Sequence, residues 1–212
     1  MGFYSSDAPG ELQSAQLNDI KSSAFPSARA QLANCSIIAA VNRVEVFDSA
    51  LESPANAIYL LSGNPLTIPG MLARARARSK ACLINIDFLD GLSRDRYAVE
   101  FLAAHHVDGI VSTRIEALKA AQALNLITVQ RTFAIDTAAI TTTLKSLNQF
   151  LPDAMEVLPA MAAPKVAKRL HAAFPNLAII GGGLIDSVRE IEDLLKAGVR
   201  SVSVSDSRLW LI

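Results

Sequence analysis

The sequence predicts an α/β fold, a (β/α)8 barrel of the TIM type in a single domain, and three observations carry that prediction. From residue 36 onward, short apolar and β-branched runs alternate with segments of helical spacing. Eight such runs occur, with starts roughly 20 to 28 residues apart, and parallel strands need crossovers of about that size. Polar or small residues gather near the C-terminal ends of the runs, where inward side chains of a closed barrel stop filling the core and line a mouth. A doubly wound open sheet shares the alternation and stays the rival, because alternation alone does not establish closure.

The runs are SIIAAV (36–41), AIYLLSG (57–63), ACLINIDF (81–88), VDGIVST (107–113), LITVQRTF (126–133), AMEVLP (154–159), AIIGGG (178–183) and SVSVSD (201–206). Between them RIEALKAAQALN (114–125), DTAAITTTLKSLNQFL (136–151) and a VREIEDLLKAG segment carry apolar residues at helical spacing, as helices packed on a sheet require. Residues 1–35 read differently. They are small and polar, with Asp7, Pro9, Gly10 and Pro26, and contain one weakly amphipathic segment from Leu12 to Ile20. The expected division is a polar lead-in over 1–35, with that segment as its candidate docking helix, and a barrel domain over 36–212.

Apolar residues make up 51% of the chain, enough to fill one core of this size. Twenty Lys and Arg balance twenty Asp and Glu, so no overall field draws a polyanion, and any nucleic-acid contact must be local. The two cysteines, Cys35 and Cys82, border apolar runs and read as reduced core thiols. Neither a secretory pattern nor a stretch near the ~18 apolar residues of a membrane span is present, so the expected location is cytoplasmic, with no membrane partner.

At the expected mouth, INIDFLDGL (84–92) places an amide and a carboxylate among apolar neighbours. By the strand period of two, Asn85 and Asp87 share one face. An ionised carboxylate buried there needs a partner. The same accounting brings Asn42, Ser112, Thr128 with Gln130, Glu156, Gly182, and Ser203 with Ser205 to strand ends, together with Arg43, Arg114 and Arg131. Ser, Thr and Gln at such places also serve simply to satisfy backbone groups, and the arginines to form salt bridges. Asp87 and Glu156 are more telling: two carboxylates in one mouth repel unless a cation, a proton or a hydroxyl-bearing ligand intervenes. The seventh run ends Gly181-Gly182-Gly183, and barrels often bind phosphate with the loops after strands seven and eight, because glycines let backbone N–H groups approach an anion.

Taken together, INIDFLDGL, IVSTR (110–114), TVQRTFAID (128–136), MEVLPA (155–160), IIGGGLI (179–185) and SVSVSDSRLW (201–210) resemble the glycerol 3-phosphate-responsive antiterminator family, in order and with similar gaps from about Ser36 to Trp210. The resemblance implies a small (β/α)8 barrel that binds RNA, a transcription antiterminator acting on the leader mRNA of glycerol uptake and utilisation operons when glycerol 3-phosphate is present. It also implies that Gly181, Gly182, Gly183, Ser203 and Ser205 hold the phosphate while Asp87 and Glu156 face the glycerol hydroxyls. Asn85, Ser112, Gln130 and Arg131 complete the expected ligand set. Three positions depart from the family pattern: Asn85 stands where His is usual, Val204 where Thr is, and Ala160 where Gly is.

The alternative is a barrel enzyme moving protons through Asp87 or Glu156 on a small phosphorylated metabolite. None of the seven lysines ends a run, which argues against a Schiff-base aldolase, and His105, His106 and His171 lie outside the run ends. No catalytic residue, metal or cofactor is expected beyond the effector, glycerol 3-phosphate or a similar phosphorylated polyol. For RNA, the densest basic cluster is Arg74, Arg76, Arg78 and Lys80, which wraps a helix surface in two rows and serves equally as a solvated face. Whether the protein is a homo-oligomer stays open.

Overall fold

The computed structural model describes residues 27–212; the Leu12–Ile20 segment lies outside the described residues. Eight parallel strands close into a barrel in sequence order, β8 returning to pair with β1. They are β1 (Ile37–Val41), β2 (Ala57–Leu60), β3 (Ala81–Asn85), β4 (Gly109–Ser112), β5 (Ile127–Phe133), β6 (Ala154–Leu158), β7 (Ala178–Gly182) and β8 (Ser201–Val204). The doubly wound alternative is excluded by the β1–β8 ladder, in which Ile37 pairs with Val202 and Ile38 with Ser203.

Alternation within each strand builds two apolar layers. Ile38, Ala40, Ala57, Tyr59, Leu83, Val111, Ile127, Val129, Ala154 and Ile180 fill the barrel interior. Their sequence neighbours Ile37, Ala39, Ile58, Ile84, Ile110, Met155, Ile179 and Val202 meet the surrounding helices. The helices are α1 (Ala28–Ala33), α2 (Phe47–Glu52), α3 (Ile68–Ala77), α4 (Arg96–Ala104), α5 (Ile115–Ala123), α6 (Thr137–Gln149), α7 (Ala163–His171) and α8 (Val188–Lys196). Burial recurs at the three- and four-residue intervals of an amphipathic helix, as Ile68, Met71, Leu72 and Ala75 in α3 and Ala163, Val166, Ala167 and Leu170 in α7. Starts follow local chemistry. Asp95 caps α4, Asp136 caps α6, and Ser187 with Glu190 forms a reciprocal capping box on α8.

Two aspartates pin the strand starts. Asp108 accepts the Cys82 N–H at 2.8 Å, and Asp153 accepts both the Thr128 N–H and hydroxyl, at 2.8 and 2.9 Å. Burial pushes the Asp108 carboxyl above its ordinary range, and the Cys82 N–H pulls it back only in part. α1, which precedes the first strand, packs against the barrel. Leu32 and Cys35 join the interior cluster from below, Gln31 donates to the Ser79 carbonyl at 2.6 Å, and Ser201 donates to the Cys35 carbonyl at 2.6 Å. Both cysteines are buried and free, and desolvation pushes both thiols up, Cys82 further than Cys35. No helix among the described residues is long and apolar enough to cross a membrane.

Candidate ligand-binding site

The polar centre of the C-terminal mouth is a cluster on β5, β6, β7 and β8. Register brings Arg131 opposite Glu156 on the neighbouring strand, and Arg131 Nε donates to Glu156 Oε2 at 2.7 Å. Ser203 donates to the other carboxylate oxygen, Oε1, at 2.5 Å. The Glu156 side chain is 0% exposed and that of Arg131 is 7%. A dry ion pair of this kind is seldom a gain over apolar packing, since its attraction must offset the desolvation of both ions. Gly182 lies against it: a Cβ there would fall 2.6 Å from Ser203 Oγ and 2.7 Å from Glu156 Oε1. Phe88, half exposed and three residues beyond β3, covers the arginine, with the guanidinium carbon 5.1 Å from its ring centroid.

Above this cluster the chain leaves β7 through Gly183 and Leu184 at positive φ, 77° and 58°. Leu184 is 76% exposed. The backbone N–H groups of Leu184, Ser205 and Asp206 meet no acceptor among the described residues. After β8, a 3₁₀ turn over Ser207–Leu211 buries Trp210, whose indole donates to the Val204 carbonyl at 2.7 Å and fixes the loop that carries Ser205. The mouth thus pairs a loop of free N–H groups with a buried carboxylate and guanidinium.

Several expected site residues lie elsewhere. Asn85 and Asp87 do not share a face, because β3 stops at Asn85. The Asn85 side chain accepts the Asp87 N–H at 3.1 Å and turns the chain into a 3₁₀ helix over Ile86–Phe88. Asp87 then swings toward β4 and accepts from the Ser112 hydroxyl, the Thr113 N–H and the Thr113 hydroxyl at 2.8, 2.7 and 2.9 Å. Its carboxylate thus joins the chain just beyond β3 to the end of β4, and its hydrogen bonds go to Ser112 and Thr113. Ser112 belongs to that link and follows the outward parity of Ile110. Gln130 also points outward, donating to Ser146 of α6 at 2.9 Å, since the inward positions of β5 are Ile127, Val129 and Arg131. Gly181 packs against Ala160 and Ala163 on the outer side. Asn85 does face the interior, fully buried, with no hydrogen-bond partner for its amide nitrogen.

The basic cluster on α3 is largely engaged. Arg74 pairs with Asp48 and lies over Phe47, Arg76 donates to the His106 carbonyl at 2.9 Å, and the Lys80 ammonium donates to the Ser53 and Ala55 carbonyls at 2.6 Å each. Among the described residues no group of three or more His, Cys, Asp or Glu side chains is placed to hold a metal ion. His171 bonds the Leu177 carbonyl at 2.9 Å. A cavity of about 770 Å³ opens at the opposite, N-terminal end, among Arg29, Leu32, Asp153, His171 and Arg200. That end holds strand starts, whereas the functional end of such barrels is the C-terminal one. Sequence reasoning missed Tyr59 and Phe88. Tyr59 was legible only as a hydroxyl sharing the parity of Ala57 within an apolar run.

Fold and site together define a closed parallel barrel with a polar mouth at the C-terminal ends of its strands, lined by a glycine loop and a buried Arg–Glu pair. The chain belongs to the glycerol-3-phosphate responsive antiterminator family, whose match spans residues 37–210. It is 29% identical over 177 residues to the protein named "Uncharacterized protein YgcP" of Escherichia coli (strain K12), covering 83% of this chain and 92% of that one. The crystal structure of a glycerol uptake operon antiterminator-related protein from Thermotoga maritima matches with a TM-score of 0.76 at 27% identity, over 84% of this chain and 99% of the other. That of a glycerol uptake operon antiterminator regulatory protein from Listeria monocytogenes matches at 0.77 and 29%, over 84% and 95%.

Proposed function

We propose that this barrel is a cytoplasmic antiterminator that binds glycerol 3-phosphate, or a similar phosphorylated polyol, in its C-terminal mouth and, so loaded, binds the leader transcript of glycerol uptake genes. Family membership supports the class of regulator. The observation that carries the ligand reading is the buried Arg131–Glu156–Ser203 cluster beneath Gly182, next to the unpaired N–H groups of Leu184, Ser205 and Asp206. In this reading the loop N–H groups take the phosphate, as backbone nests do. Glu156 keeps unshared lone pairs for a polyol hydroxyl, a charge-assisted bond. Ligand can favour RNA binding only by binding the RNA-competent conformation more tightly than the other.

RNA contact on α3 runs through Arg78, which has no partner among the described residues, and through the unshared edges of Arg74 and Arg76; Lys80 is occupied by the Ser53 and Ala55 carbonyls. The test is retardation of a labelled glycerol-operon leader transcript at several salt concentrations, with sn-glycerol 3-phosphate, glycerol or inorganic phosphate. Retention is expected with sn-glycerol 3-phosphate alone. A variant with Arg74, Arg76 and Arg78 all changed to alanine is expected to show a log–log salt slope shallower by about 2, from three single-strand phosphate contacts. RNA binding indifferent to sn-glycerol 3-phosphate would refute the regulatory reading, and an unchanged slope would place the RNA on another face.

A further inference from the structure

Two polar groups sealed inside the barrel have no partner, and both are donors. Tyr59 Oη and Asn85 Nδ2 are fully buried and make no hydrogen bond, although a buried N–H or O–H almost always finds an acceptor. The two side chains share the interior face. In the β2–β3 register Tyr59 pairs with Leu83, so Asn85 stands two residues nearer the mouth on the adjacent strand. Desolvation above all, with the Glu156 charge acting in the same direction, holds the Tyr59 phenol protonated well above its ordinary range; Arg131 opposes this only in part. Each acceptor nearby already takes a donor from elsewhere. Glu156 takes Ser203 on one oxygen and Arg131 on the other, and Asn85 Oδ1 takes the Asp87 N–H. The barrel interior beneath the mouth therefore carries two surplus donors beside a charge pair that already sums to zero.

We propose that Tyr59 and Asn85 form a reading head at the floor of the mouth, donating to an uncharged oxygen, a hydroxyl or a keto group, at the end of the ligand remote from its phosphate. The assignment rests on the ligand reading given above and adds the chemistry of that far end. A hydroxyl oxygen offers two lone pairs for the two donors and a proton for Glu156; a keto oxygen offers the lone pairs alone. A carboxylate there would bring a second negative charge beside Glu156 with one guanidinium to serve both, a buried charge without compensation.

Tyr59→Phe removes the hydroxyl and keeps the ring, so the core stays filled. Thermal unfolding and calorimetric titration of wild type and Y59F are compared with sn-glycerol 3-phosphate, dihydroxyacetone phosphate, 3-phosphoglycerate and inorganic phosphate. Without ligand, Y59F is expected to melt at or above the wild-type temperature, because it sheds an unpaired buried hydroxyl. Its Kd for the hydroxyl or keto compound is expected to rise ~10-fold, the worth of one hydrogen bond, while its Kd for inorganic phosphate stays unchanged. Wild type that binds the polyol phosphate while Y59F binds it equally well overturns the assignment of Tyr59 and leaves the mouth reading intact. A lower melting temperature for ligand-free Y59F at unchanged affinity means that the hydroxyl holds an internal water, which also overturns it. Tightest binding by 3-phosphoglycerate rules out an uncharged far end. Wild type that ignores all four compounds overturns the mouth reading and this assignment together.

Discussion

Arg131→Met is expected to lower the free energy of unfolding by about 3–5 kcal/mol, the range found when one member of a buried ion pair is removed and the other keeps its charge in a dry site. Methionine preserves much of the stem beneath Phe88, so lost packing contributes little. The loss comes from Glu156, left 0% exposed with the Ser203 hydroxyl as its remaining donor. Denaturant titration should show a lower midpoint with an unchanged slope, since the surface exposed on unfolding hardly alters. A second change, Glu156→Gln in the Arg131→Met background, should recover more than half of the deficit, because it removes the charge that the first change stranded; the coupling between the sites measures the pair. On the function proposed above, both variants are also expected to lose any response to sn-glycerol 3-phosphate. A deficit below about 1 kcal/mol for Arg131→Met would mean that water solvates Glu156 through the mouth.

Gly182→Ala is the second large effect. The added methyl would lie 2.6 Å from Ser203 Oγ and 2.7 Å from Glu156 Oε1, and neither side chain can retreat without breaking the 2.5 Å bond between them or pulling Glu156 from Arg131. Overpacking of this kind costs about 1–3 kcal/mol. Gly181→Ala next to it is the internal control. Its methyl would meet the Ala160 and Ala163 methyls at 3.4 and 3.6 Å, close to ordinary contact, so stability should change by less than about 1 kcal/mol. Melting temperatures of the two variants therefore separate a glycine demanded by the site from one demanded by helix packing, and the reverse ranking would contradict the inward placement of Gly182.

The barrel was legible because its evidence is local. Each strand announces itself as a β-branched run, each helix by burial every three or four residues, and strict alternation leaves few topologies. Side-chain direction was harder to read. In LITVQRTF both parities mix apolar and polar residues, and the partner that offsets the inward charge of Arg131 is a carboxylate 25 residues away on β6. Glu156, Gly182 and Ser203 follow from parity because their strands run straight to the end. Asp87 does not, since Asn85 caps a turn that ends the alternation one residue after the strand. On α3 the helical spacing of Arg74, Arg76 and Arg78 was visible, but the Asp48 carboxylate and the His106 carbonyl that engage the first two belong to other elements. Tyr59 escaped notice because a tyrosine in an apolar run reads as core until its hydroxyl is found without a partner.

A crystal structure of the protein with saturating sn-glycerol 3-phosphate would show where a phosphorylated polyol binds. The phosphate is expected within hydrogen-bond reach of the Leu184 and Ser205 N–H groups, with a ligand hydroxyl against Glu156. Ligand density in the N-terminal cavity among Arg29, His171 and Arg200, with the mouth unchanged, would contradict that placement.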